Sequence, residues 1–220
     1  MEWNRYIDGY CERTDPSYWA EPVNAVTNAA FLIAAWVMWR RTRGAGLPLA
    51  TALVVILALI GTGSYLFHTH ATIWAVTLDV APIGIFILLY LFTANLHFWR
   101  WPLWVSLVGT AAFIPYAAAL VPVFSALPFF GISAGYWPVP LLIAAYAVLL
   151  RHRAPDTAKG LGIGAAILVV SLIFRSVDET FCPALPLGTH FMWHILNGVM
   201  LGWMIEVYRR HMVAARGAGR

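Results

Sequence analysis

Charge is what this chain lacks. Asp, Glu, Lys and Arg make up 11% of its 220 residues, against about a quarter in soluble domains, and that composition excludes an ordinary water-soluble fold. Cysteine is limited to Cys11 and Cys182. No basic region followed by a short apolar core opens the chain, so no cleavable signal peptide is expected and the first span serves as its own insertion signal. No basic patch interleaved with aromatics appears, so the net charge of +4 gives no case for nucleic acid as a partner. Internal repeats, low-complexity tracts and long linkers are missing too. The chain therefore reads as one domain over 1–220.

What is present is hydrocarbon: 61% hydrophobic residues and a mean hydropathy of +0.73. Apolar stretches near the 20 residues or so that cross roughly 30 Å of hydrocarbon are expected at about 22–39, 49–69, 75–96, 102–121, 137–151, 160–177 and 189–208. The fold class is all-α, a polytopic seven-transmembrane-helix bundle. The fifth span is the shortest, its approach crowded by Pro122, Pro128, Pro138 and Pro140.

Arg40, Arg41, Arg43, Arg100, Arg151, Arg153 and Lys159 fall in the connections after spans one, three and five, and Arg209, Arg210, Arg216 and Arg220 in the tail. The other side has Arg5 and Arg13 beside Glu2, Asp8, Glu12, Asp15, Glu21, Asp178 and Glu179. By the positive-inside rule the N-terminus is outside and the C-terminus cytoplasmic. Residues 1–21 become an outer acidic segment and 209–220 a basic cytoplasmic tail. The composition hints at a bacterial inner membrane.

Within the apolar spans, His68, His190 and His194 fall at one depth. An ionisable residue there is a functional candidate by default. His190 and His194 are spaced i, i+4 and share a helix face. Singly, each histidine reads more simply as a core residue bonded to a carbonyl; as a set at one depth they read as a metal site. Three imidazoles with a fourth position left to water are the ligand set of a catalytic zinc, which lowers the pKa of water to about 7. Iron, copper and nickel accept the same ligands.

Asp79, inside the third span, needs compensation at membrane depth and is expected to act as proton acceptor and shuttle. Ser64, one turn before His68, could stabilise the oxygen that gains charge, or bond back to its own helix. His70 points to a different face, and His97 and His211 lie at the far end. The two cysteines map to the outer side, where a disulfide can persist; sequence alone leaves that bond open. The acidic run through Asp8, Glu12, Asp15 and Glu21 suits either a calcium site, which wants roughly six to eight oxygens, or a solvated segment.

Tyr10-Cys11-Glu12, Ala20-Glu21-Pro22-Val23-Asn24 with Thr27-Asn28, Ser64-x3-His68 with Asp79, and His190-x3-His194 together resemble the alkaline ceramidases. These belong to a superfamily of seven-span membrane hydrolases that includes adiponectin-receptor-like proteins. The resemblance runs from Asp8 to the last helix. It implies zinc on His68, His190 and His194, with Ser64 and Asp79 assisting hydrolysis of the amide of ceramide, a membrane lipid, to sphingosine and fatty acid. It also implies a Cys11–Cys182 disulfide and a calcium site through Asp8, the Tyr10 carbonyl, Glu12 and Glu21. Gly9 departs from the pattern, standing where the family has an acidic ligand. The alternative is a seven-span lipid-binding receptor or sensor with a structural metal. A haem role fits poorly, because axial histidines face each other across helices.

Overall fold

The computed structural model describes residues 2–7 and 9–218. Ten α-helices follow one another among them: α1 (Pro22–Thr27), α2 (Ala29–Thr42), α3 (Pro48–His70), α4 (Ile73–Thr93), α5 (Leu103–Ala111), α6 (Phe113–Ser125), α7 (Pro138–Leu150), α8 (Pro155–Ser176), α9 (Asp178–Phe181) and α10 (His190–Ala218). Prolines open α1, α3, α7 and α8, where the missing N–H has no intrahelical partner to lose.

Five helical units are long and apolar enough to cross a membrane: Pro22–Thr42, Pro48–His70, Ile73–Phe98, Leu103–Ser125 and Pro155–Ser176. The chain is an integral membrane protein by that measure. Two expected spans differ. Helix α7 has 13 residues, and at about 1.5 Å per residue it falls short of a hydrocarbon core roughly 30 Å thick. Its proline-crowded approach is spent on turns and a 3-10 turn at Gly131–Ser133. Helix α10 is long, with 29 residues, but His190, His194, Asn197 and Glu206 lower its hydropathy.

The helix breaks position the site. Helix α3 ends at Ala71, which adopts a left-handed conformation with φ 47° and donates its N–H to Phe67 O. The chain then reverses at once into α4, so the two helices form a tight antiparallel pair. Gly63 makes that pair possible, since a Cβ there would run into the Leu78 carbonyl. Gly198 of α10 likewise sits against the Ala30 backbone of α2, 3.0 Å from its carbonyl carbon by the position a Cβ would take. Small residues at such points let membrane helices approach closely. Helix α10 packs between α2 and α8, and large side chains such as Trp36, Ile33, Trp104 and Leu149 remain on the outside, as a lipid-facing surface requires.

The N-terminal segment roofs one end of the bundle. Ile7 N–H donates to Ala71 O at 2.8 Å, and Ile73 N–H donates to Arg5 O at 3.2 Å. A disulfide joins Cys11 to Cys182, with Cα atoms 5.4 Å apart, and ties this segment to the turn ahead of α10. At the opposite end, the buried Glu206 carboxylate accepts bonds from Arg41, Arg209 and Arg210, fastening α10 to α2.

Candidate metal centre

Helix α3 brings His68 to its last turn, and α10 begins at His190 with His194 one turn on. All three imidazoles are buried, and one nitrogen from each lies within 4.8 Å of the others. Their ring centroids are 4.6 Å apart for His68–His194 and His190–His194, and 5.2 Å for His68–His190.

The surrounding bonds decide which nitrogens are left for an ion. His68 Nδ1 lies 2.6 Å from Glu21 Oε2, so its Nδ1–H donates to the carboxylate and Nε2 keeps its lone pair. His194 Nδ1 lies 3.0 Å from Thr27 Oγ1, whose own proton goes to the Val23 carbonyl at 2.7 Å. His194 Nε2 is then buried without a partner, as is His190 Nδ1. Orphaned buried polar atoms are costly, and converging imidazole lone pairs at three corners are the donor set of a divalent transition metal. The residues therefore fit zinc. Carboxylate–histidine bonds of the Glu21–His68 kind fix tautomer and ring orientation in metal sites.

His190 is held from two further sides. The Tyr10 ring stacks on it with centroids 3.7 Å apart, and its backbone N–H donates to Asp178 Oδ1 at 2.8 Å. Asp178 also accepts N–H bonds from Thr189 at 2.6 Å and Cys11 at 3.0 Å, so one buried carboxylate starts α10 and anchors the N-terminal segment.

Asp79 stands on the second turn of α4, where its amide nitrogen lies 3.1 Å from the position a Cβ would take on Gly63, the residue before Ser64. Asp79, His190, Tyr10 and Arg175 line one cavity of about 250 Å³. Ile83, Tyr136 and Trp193 form part of its wall and also border a second, almost wholly apolar cavity among Phe86, Tyr90, Leu142, Leu168 and Met200.

The acidic residues proposed for calcium have protein partners. Glu12 accepts the N–H groups of Val23 at 2.7 Å and Asn24 at 2.8 Å, capping α1; burial pushes its carboxyl up, opposed by those two bonds. Glu21 is shared by His68, Arg13 and Asn24. The Tyr10 carbonyl accepts the Arg13 N–H at 3.2 Å. Asp8 lies outside the described residues. His70 is exposed against Tyr18 and Trp74, and His97 and His211 contact Tyr208 and Thr157 at the far end.

Four residues near the cluster were given no role of their own from the sequence: Arg13, Thr27, Arg175 and Asp178. Arg175 lay hidden inside the sixth apolar stretch. It donates to Ile132 O at 2.5 Å and Ser133 Oγ at 3.1 Å, which aims a fixed positive charge at the cavity. An arginine at the end of an apolar run on the acid-rich side was the available signal.

Apolar membrane-length helices gathered around a buried three-histidine cluster define a polytopic membrane protein with a site able to hold a metal ion. The family follows from the whole length of the chain: the Ceramidase family model matches residues 9–217, and the chain belongs to that family. No curated protein matches it.

Proposed function

We propose that the protein is a zinc-dependent intramembrane lipid amidase that hydrolyses ceramide to sphingosine and fatty acid. The observation that carries this reading is the shared cavity. Asp79 and His190 line the same space, and that space abuts an apolar cavity suited to an acyl chain. Family membership supplies the amide-bearing lipid as the substrate class.

In this reading His68, His190 and His194 hold the zinc, which supplies Lewis acidity and activates water at neutral pH. Asp79 accepts the proton of the attacking water and delivers it to the departing nitrogen as the C–N bond breaks. The Ser64 hydroxyl donates to the carbonyl oxygen that gains charge. Arg175 and the wall of Tyr136 and Trp193 orient the polar end of the lipid. The receptor alternative would use the metal structurally, and structural zinc sites close with four protein ligands; three histidines converge here.

The same reading takes α7 and α10 as the fifth and seventh spans of a single domain. Residues 1–21 then lie outside and 209–220 in the cytoplasm of a bacterial cell, with the site toward the outer face of the inner membrane. Elemental analysis of purified protein, paired with fatty-acid release from a defined ceramide before and after chelation, tests it. About one zinc per chain with chelator-sensitive release is expected, and loss of both in His194→Ala. Absence of metal from the wild-type protein would sink the proposal.

A further inference from the structure

Arg13 is the most deeply buried cation of the N-terminal segment: its side chain has 0% exposure, and that of its partner Glu21 has 2%. Every acceptor around the guanidinium is oxygen. Its Nε donates to Glu21 Oε1 at 2.5 Å. Its Nη1 reaches the carbonyls of Asp15 at 3.2 Å and Ser17 at 3.3 Å, and its Nη2 reaches the carbonyl of His68 at 2.9 Å.

Two of those contacts meet on one residue. The His68 carbonyl lies within the last turn of α3, where the left-handed Ala71 ends the helix and carbonyls lose their intrahelical donors. Arg13 supplies the missing donor directly. Through Glu21, whose second oxygen takes the His68 Nδ1–H at 2.6 Å, it also acts on the ring. A planar fork with donors in fixed directions can hold a carboxylate and a carbonyl together, which a lysine ammonium on a flexible stem cannot do in the same way.

We infer that Arg13 is a positioning residue of the metal centre, clamping His68 by backbone and ring at once, and that its guanidinium occupies the oxygen cage a divalent cation would need in this segment. The carboxylates beside it are committed elsewhere: Glu12 to the N–H groups of α1, and Asp15 to the Ser17 N–H at 2.7 Å. Glu12, Asp15 and Glu21 all have protein partners, so none of these three is free to replace the guanidinium charge. The consequence is a site whose outer shell is completed by the chain itself, with no requirement for calcium. This inference rests on the reading that His68, His190 and His194 hold zinc.

The test uses the full chain in detergent. Zinc retention against a competing chelator is measured for wild type, Arg13→Ala and Arg13→Lys. The thermal midpoint and fatty-acid release of wild type are followed with added calcium and with a calcium-selective chelator. Wild type is expected to be indifferent to both calcium treatments. Arg13→Ala should hold zinc roughly 10–100-fold more weakly, the range for lost outer-shell partners of metal ligands. Added guanidinium should restore retention in that variant, urea should not, and Arg13→Lys should fall between it and wild type. Stabilisation of wild type by calcium would overturn the cage assignment. Wild-type zinc retention in Arg13→Ala would overturn the clamp while leaving the zinc reading intact. A wild-type protein that carries no zinc would overturn both. If Arg13→Ala does not fold, Arg13→Lys and the calcium arms on wild type decide.

Discussion

Gly63 of α3 lies directly against the backbone of Leu78 in α4: a Cβ at Gly63 would overlap the Leu78 carbonyl oxygen and come 3.1 Å from the Asp79 amide nitrogen. The same contact brings Asp79 opposite Ser64, the residue after Gly63. Gly63→Ala must therefore separate the two helices or rotate one of them. Overpacking usually costs about 1–3 kcal/mol, and backbone gives way less readily than a side chain. The expected result is lower stability in detergent unfolding and a loss of fatty-acid release from the variant that remains folded. A variant matching wild type in both would mean that the α3–α4 contact does not set the position of Asp79.

Glu21 carries both Arg13 and His68, so Glu21→Gln should show two effects. The amide still offers an oxygen to the His68 Nδ1–H, yet its weaker acceptor lowers ligand basicity, and zinc affinity should drop by roughly 10–100-fold. Arg13 would keep its buried charge without the countercharge, and breaking a buried pair in this way destabilises by about 3–5 kcal/mol. Competition with a chromophoric chelator reads the first effect and thermal unfolding the second.

Asp178 is buried and accepts three backbone N–H groups from two distant parts of the chain. Gly188 allows this arrangement, since its φ of +67° disfavours a side chain and a Cβ would strike the Asp178 carboxylate. Asp178→Ala leaves those donors buried and unpaired. Hydrogen bonds to a charged group are worth about 1.5–3 kcal/mol each, so the variant should unfold markedly earlier and expose Cys11 to reductant faster than wild type does. Equal unfolding midpoints would show that water replaces the carboxylate.

The Cys11–Cys182 bond closes a separation of 171 residues. Paired Cys11→Ser and Cys182→Ser substitutions are expected to lower stability by about 2–5 kcal/mol, and to weaken zinc retention because the N-terminal segment carries Tyr10, Arg13 and Glu21. Unchanged zinc retention would separate the roof from the metal centre.

The sequence made the histidines, Ser64 and Asp79 visible because polar residues at membrane depth are few and expensive, so each one stands out against its surroundings. The structure brings these five to one region. The cysteine pair was legible as a possibility for the same reason of scarcity. Arg13 and Asp178 were not legible in their present roles. Both fall in acid-rich segments outside the apolar stretches, where charged residues are ordinarily solvated; their importance comes from chain reversals that bury them. The short α7 was foreshadowed by its prolines. The break at Asn28, by contrast, interrupts an apolar run with no proline or glycine beside it, whereas the break at Ala112 follows from Pro115, which has no N–H for the Ala111 carbonyl and crowds it.

Ser64 and Asp79 supply the sharpest separation between binding the metal and using it. Neither belongs to the three-histidine cluster, and Asp79 lies across the α3–α4 contact from Gly63, the residue before Ser64. Asp79→Asn keeps the shape of the side chain and removes its ability to take a proton. It should retain zinc and lose roughly 10²–10⁴-fold in turnover, the usual contribution of a positioned acid–base group. Ser64→Ala should lose less, because the carboxylate remains. In the double variant the two losses should not add, since residues acting as a unit are strongly non-additive. Fully additive losses would mean that Ser64 acts on the substrate independently of Asp79. Zinc lost from Asp79→Asn would move the carboxylate from proton transfer to the metal's own support.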